Sequence, residues 1–275
     1  MKQLSAILKM SPERIVYILD NIDSFYRQKE EKKFDPKKGS FKTYKNGNLK
    51  IRIINPSQGD LKLAQQRAKN RILSKIALPD NVHGGTKKKS NITNAKVHQG
   101  NKYIFATDLQ EFYPSISSKM VYDAFLKLGY SNHFASHLCK LVTYKHKVPQ
   151  GAPTSTHISN IVFLQTDRKL IEYCNTYGIT YTRYVDDLTF SSQQDFSVHT
   201  VELMKIVCDN GYKMSYRKTS YSGEQTITGL IVQLNKIDVP DSIKYRASLE
   251  KDDPLQPVTD YMKRVTSTNR HNYRQ

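Results

Sequence analysis

Ile179-Thr180-Tyr181-Thr182-Arg183-Tyr184-Val185-Asp186-Asp187-Leu188-Thr189-Phe190-Ser191-Ser192 sets two acidic side chains between flanks of β-branched and aromatic residues. Such flanks favour extended backbone, so the stretch predicts two strands folded tightly at Asp186-Asp187. Neighbouring side chains of a strand point to opposite faces, so adjacent carboxylates reach one site only where the chain turns. Two anions that close repel, and a site that keeps both ionised needs a cation. Standing alone, an Asp-Asp turn is more often structural, because aspartate is a favoured turn residue.

Upstream, Tyr103-Ile104-Phe105-Ala106 reads as a short apolar strand running into Asp108, with Phe112-Tyr113-Pro114 behind it. An aspartate at a strand end is commonly a cap. If this strand neighbours the acidic hairpin in one sheet, however, three carboxylates converge, and such oxygens suit a pair of Mg²⁺ ions. Between the two blocks lies Gln150-Gly151-Ala152-Pro153-Thr154-Ser155. Its glycine permits close backbone approach, and the helix that follows offers free N–H groups at its start. By itself this is a loop and an N-cap.

Elsewhere Ser11-Pro12 predicts a helix start. Phe41 to Tyr44 and Leu49 to Ile53 around Asn46-Gly47 predict a β-hairpin, with Lys50 and Arg52 sharing one face of its second strand. Helices are expected near 60–76, 119–128, 154–177 and 198–210, and a strand pair through 227–239. Alternating β and α elements with hairpins argue for an α+β fold, a sheet covered by helices. The formal charge of +18 favours polyanionic partners. Cys139, Cys174 and Cys208 form no disulfide framework or zinc motif. No apolar run approaches the ~20 residues of a membrane span, and Met1-Lys2-Gln3-Leu4 lacks a signal-peptide core. The expectation is a reduced, cytoplasmic protein without a membrane partner.

In chain order, Phe105-Ala106-Thr107-Asp108 to Pro114, the Gln-Gly-Ala-Pro block and Tyr-Val-Asp-Asp resemble the A, B and C motifs of reverse transcriptases. Asn94-Ala95-Lys96-Val97-His98 and Thr228-Gly229-Leu230 resemble two elements of bacterial retron enzymes. The resemblance implies a right-hand fold forming one reverse transcriptase domain. Fingers would occupy 1–100 and an antiparallel-sheet palm 101–239, with a finger-associated helical part at about 118–148. A short thumb would occupy 240–275, where Pro254 and Pro257 prevent one long helix and Lys244, Arg246, Lys263, Arg264, Arg270 and Arg274 supply charge.

The same resemblance implies site residues. Asp108, Asp186 and Asp187, with the backbone of Leu109, would hold two Mg²⁺ ions, for which Mn²⁺ can substitute. Lys50, Arg52, Tyr113, Gln150, Gly151 and Lys218 would bind the incoming deoxynucleoside triphosphate, with Tyr113 beneath its sugar. Asn94 and His98 would touch RNA. Lys87-Lys88-Lys89, which reads as a solvated loop, would lie on phosphate beside them. The implied partners are a non-coding RNA acting as primer and template, the RNA–DNA hybrid made from it, and an effector protein of an antiphage defence system. Val185 departs from the alanine usual in retron enzymes, and Gly85 stands where an aromatic is expected after His83-Gly84. Rival readings are a group II intron-like or phage-defence reverse transcriptase, and an idle RNA-binding subunit, which would have no use for three convergent carboxylates.

Overall fold

The alternating flanks of the acidic segment pair as their pattern requires. Thr180–Tyr184 runs antiparallel to Asp187–Ser192, with Tyr184 opposite Asp187. The turn therefore consists of Val185 and Asp186, one residue earlier than expected, and Asp187 already belongs to the second strand. Tyr103–Asp108 pairs with the other edge of Asp187–Ser192, and Ser220–Ser222 pairs with Tyr103–Asp108 in turn. The result is a four-stranded antiparallel sheet with the two acidic strands at its centre. Phe105 lies opposite Phe190, and Phe190 opposite Tyr181. The rings stack at centroid distances of 5.8 and 4.8 Å and are all buried, the cross-strand aromatic pairing that fixes register.

The structure, a computed structural model, describes residues 1–35, 39–44, 46–250 and 255–269. Its chain divides into two compact units, Met1–Leu78 with Glu111–Leu164, and Pro79–Gln110 with Gln165–Gln275. Helix Asn91–His98, which packs on strand Thr180–Tyr184, belongs to the second unit. The four-stranded sheet belongs to the second unit. That unit also holds Gln225–Ile227, Leu230–Val232 and Ile237–Asp238 as a three-stranded sheet. Ala95, Ile104, Ile227, Leu230, Val232, Ile237, Val239 and Val265 form one buried cluster there. Val265 comes from helix Pro257–Ser267, so the chain's last described helix is seated on the palm elements of its own unit. Pro257 opens that helix at its first position. Pro254, Arg270 and Arg274 lie outside the described residues.

The first unit is mainly helical: Lys2–Leu8, Pro12–Asp20, Gly59–Arg71, Ser118–Lys127 and Asn132–Val142. Ser11 caps the second of these through the Arg14 N–H, and Pro12 follows at the first helical position. Gln65 is fully buried and fully bonded: its amide donates to the Tyr26 hydroxyl and the Leu141 carbonyl (both 2.9 Å), and its oxygen accepts from Ser57 (2.7 Å). The tip at Asn46-Gly47 forms, with Gly47 at φ 83° and Thr43 bridged to Leu49. Beyond it, Ile51–Ile54 pairs with Lys29–Lys32 rather than with the segment before the turn. Nearest before the turn, Ser40–Phe41 forms strand and pairs with Phe34–Asp35.

Candidate active site

Strand register brings the acids together. Asp108 ends its strand, Asp187 begins the next, and the two are cross-strand partners. Asp186 sits in the adjoining turn. Its carbonyl accepts from the Leu109 N–H (3.0 Å), and the Asp108 carbonyl accepts from the Ser215 N–H (2.7 Å). Each of Asp108, Asp186 and Asp187 offers a carboxylate oxygen, and these lie within 4.8 Å of one another. Among the described residues no other three His, Cys, Asp or Glu side chains meet in this way.

Like charges so confined oppose one another. Burial, and then the Asp186 and Asp108 carboxylates, push the Asp187 carboxyl up to about 7, against the pull of Lys218. Lys218 Nζ donates to Asp108 Oδ2 at 2.6 Å. One lysine among three acids leaves the cluster short of positive charge, and carboxylate oxygens are the donors hard divalent cations prefer. These residues fit a metal centre.

A model of the family "Reverse transcriptase (RNA-dependent DNA polymerase)" matches residues 36–234. The chain is also 30% identical over 241 residues to Retron Ec86 reverse transcriptase of Escherichia coli, covering 86% of this chain and 72% of that one. The chain belongs to the retron-type reverse transcriptases. Retron Se72 reverse transcriptase of Salmonella heidelberg is 31% identical over 242 residues, covering 84% of this chain and 61% of that one. Retron Mx65 reverse transcriptase of Myxococcus xanthus is 31% identical over 205 residues, covering 66% and 48%. This reverse transcriptase thus spans between about half and three quarters of the length of these relatives. Among solved structures it is similar to telomerase from Candida albicans in complex with a TWJ fragment of telomeric RNA, with TM-score 0.51 and 12% identity over 94% of this chain and 58% of that one. That likeness concerns fold alone, an α+β right-hand reverse transcriptase fold. Membership carries RNA-directed DNA synthesis, an RNA template and divalent metal use. Among the described residues no helix is long and apolar enough to cross a membrane.

Behind the acidic turn, the reverse transcriptase buries a complete ion pair. Arg183 and Asp167 both have 0% side-chain exposure. Arg183 Nη2 donates to Asp167 Oδ2 (2.7 Å), its Nε donates to Oδ1 (3.0 Å), and the Tyr181 hydroxyl donates to the same Oδ1 (2.8 Å). Arg183 Nη1 then donates to the Val185 carbonyl at 3.0 Å. The guanidinium fork, rigid and always charged, links the helix carrying Asp167 to the turn carrying Asp186. Arg183 stands directly before the Tyr-Val-Asp-Asp motif, whereas nothing in the local pattern of helix Ser155–Thr176 marks out Asp167.

The nucleotide-binding candidates other than Lys218 lie in the first unit. Lys50 Nζ stands over the Tyr44 ring at 5.2 Å, and Arg52 is exposed. The Tyr113 hydroxyl shares a hydrogen bond with Thr156 (3.1 Å). The Gln150 carbonyl accepts from the Asn55 N–H (2.7 Å). Gly151 has φ 99°, a conformation only glycine adopts without strain. A cavity in this unit is lined by Asn55, Pro114, Tyr144, Lys145, Lys147 and Gln150, among others.

Of the expected RNA contacts, Lys87 and Lys88 are exposed, while Lys89 turns back to the Asp80 carbonyl and pairs with its carboxylate. Asn94 and His98 are wholly buried, so neither can touch RNA from where it sits. Both face inward from helix Asn91–His98, which explains their spacing: four residues apart is one helical face. The His98 ring bonds Ser191 Oγ (2.7 Å) and Thr182 Oγ1 (2.6 Å), one on each strand of the acidic hairpin. Asn91 donates to the Thr228 carbonyl (3.3 Å) and the Tyr261 hydroxyl (2.6 Å). Ala95 and Leu230, one from each retron-like element, share one buried cluster inside the second unit.

Burial, and then His83, push the His98 pKa down to about 3. A folded-state value below the unfolded one makes neutral His98 fully stabilising above about pH 6.5. As pH falls below that, the unfolded chain takes up a proton that the folded chain refuses. Stability should fall by about 2 kcal/mol between pH 7 and 5 through this residue, and continue falling toward pH 3. His98→Gln keeps hydrogen-bonding groups but cannot titrate, so urea unfolding at pH 7.5 and 5.0 should show a shallower loss in that variant. An equal loss in both proteins would remove His98 from this account.

Proposed function

We propose that this reverse transcriptase copies a dedicated non-coding RNA, serving as primer and template, into a branched RNA–DNA product. The setting is cytoplasmic antiphage defence, with an effector protein as partner. Support for polymerase chemistry comes from one observation above all, the meeting of Asp108, Asp186 and Asp187 at the end of the palm sheet. Support for the retron setting comes from the relatives.

Asp108, Asp186 and Asp187, with the Leu109 backbone, would hold two Mg²⁺ ions, with Mn²⁺ able to substitute. Held by these residues, cations would lower the pKa of the attacking 3′ hydroxyl and offset charge on the departing pyrophosphate. The chain's own residues do the rest. The strand register holds the three carboxylates in place before substrate arrives, so little reorganisation is needed. Lys218, 60% exposed at its side chain and bonded to Asp108, keeps a cation at the rim of the cluster where phosphate oxygens enter. Lys50 and Arg52 would grip the triphosphate, and Gln150 and Gly151 would line the nucleotide pocket. Lys87 and Lys88 remain available for template phosphate, an interaction that weakens with salt.

Tyr113 would pack where a ribose 2′-hydroxyl would sit. Tyr113→Ala should then admit ribonucleotides, with discrimination falling by about 10- to 200-fold, the range for steric pockets. Competing ribo- and deoxynucleotide incorporation measures it, and unchanged rejection would take Tyr113 out of this role.

Sequencing the nucleic acid that copurifies with the protein from cells carrying its native flanking DNA tests the retron reading. The expected result is one RNA species covalently joined to a DNA copy of part of itself. Mixed RNA without joined DNA would overturn that reading in favour of a differently primed reverse transcriptase.

A further inference from the structure

Asn81–Gly84 runs beside the first strand of the acidic hairpin. The Arg183 N–H donates to the Asn81 carbonyl, the His83 N–H donates to the Arg183 carbonyl, both at 2.8 Å, and Val82 bridges Arg183 in parallel. Gly84 then lies against the turn itself. A Cβ added at Gly84 would stand 2.4 Å from Val185 N, 2.6 Å from Val185 Cγ2 and 2.9 Å from the Tyr184 carbonyl carbon. Two of those three atoms are backbone, which cannot swing aside. Gly84 is not among the residues with positive φ, whereas its neighbour Gly85 is, at 73°. Glycine is therefore required at 84 by space, and not by backbone conformation.

What Gly84 touches is under strain. Val185 has φ 60°, a left-handed conformation that a β-branched residue adopts only when its surroundings impose it. Two contacts impose it here: Arg183 Nη1 on the Val185 carbonyl, and the bare backbone of Gly84 against the Val185 amide and side chain. The loop is itself anchored, since the His83 ring bonds Thr93 Oγ1 (2.9 Å) and Thr93 forms a capping box with Ser90 at the start of helix Asn91–His98.

We infer that Gly84 is a positioning residue: its lack of a side chain lets the Asn81–Gly84 loop seat Val185 in its left-handed conformation, which fixes where Asp186 and Asp187 present their carboxylates. The inference rests on the proposed role of those carboxylates in polymerisation.

Gly84→Ala should displace the turn. A shift of the order of 1 Å at reacting groups costs about 100-fold, so single-turnover extension on primed RNA should slow by about that factor. Primed-RNA affinity and KM for the nucleotide should stay within about threefold, the split expected for misplaced reacting groups. Val185→Gly removes the Cγ2 contact and frees φ at 185, so the 184–185 peptide, whose two backbone atoms would still meet the added methyl, can rotate away from it. Gly84→Ala/Val185→Gly should therefore regain at least about tenfold over Gly84→Ala. A role confined to folding the loop predicts no such rescue from the opposite segment. If Gly84→Ala also lowers the thermal midpoint, the double variant must restore midpoint and rate together. Mn²⁺ titration of the protein alone, followed by electron paramagnetic resonance, separates this inference from the polymerase reading. Weakened Mn²⁺ binding in Gly84→Ala, restored in the double variant, supports the positioning role even if wild-type protein makes no DNA. Wild-type rate and Mn²⁺ binding in Gly84→Ala, or absence of any rescue, overturns it.

Discussion

Asp186→Asn should abolish DNA synthesis while leaving RNA binding within about twofold of wild type. The substitution preserves shape but turns one acceptor oxygen into an N–H donor and removes one of three charges that meet within 4.8 Å. A centre built to hold divalent cations loses affinity and field together. The loss should reach at least about 10³-fold, which is about 4 kcal/mol of transition-state stabilisation. Binding should survive because it is carried by phosphate contacts spread over a chain of net charge +18. Incorporation by the purified variant within tenfold of wild type would falsify the assignment of Asp186.

Asp167→Ala should be the most destabilising single change in the second unit. It strands the Arg183 guanidinium, wholly buried, without its bidentate carboxylate, and takes away the acceptor of the Tyr181 hydroxyl. Breaking one side of a buried pair costs about 3–5 kcal/mol, because the remaining charge has lost both water and partner. Activity should fall with stability, since Arg183 also holds the Val185 carbonyl. Urea unfolding of the two proteins measures the first effect. A difference below about 1 kcal/mol would show that the interior accommodates a lone arginine and would contradict the buried-pair account.

The palm was legible where periodicity and chemistry coincide. Tyr181 and Phe190 alternate with polar neighbours and Phe105 sits in a short apolar run, so the strands could be read, and Asp108 followed as a strand end. The turn itself was misplaced by one residue because sequence favours Asp-Asp as the bend. In the structure the left-handed position goes to Val185, which no local preference would choose. Lys29–Lys32 was missed as a strand because Lys-Glu-Glu-Lys carries no apolar alternation; it is held by pairing with Ile51–Ile54 and stays exposed on both faces. The C-terminal helices, Asp241–Ser248 and Pro257–Ser267, were missed because their apolar residues are few; Ala247 of the first and Val265 of the second are the ones buried. Asn94 and His98 are expected to touch RNA only through the family resemblance, which carries no information on burial; tertiary packing puts both inside. The grouping of the three acids follows from register, whereas Asp167 and Gly84 act through contacts distant in sequence, which no motif spacing encodes.

DNA synthesis on an RNA template at a carboxylate-held metal centre can be assayed in a purified system. Its most direct measurement is extension of a labelled DNA primer on an RNA template by the purified wild-type protein, with Mg²⁺ titrated from zero and deoxynucleotides supplied one at a time. The account predicts template-directed addition of the complementary deoxynucleotide only, rising from nothing with metal and absent when the metal is chelated. No addition at any Mg²⁺ or Mn²⁺ concentration, or addition that ignores the template, would contradict it.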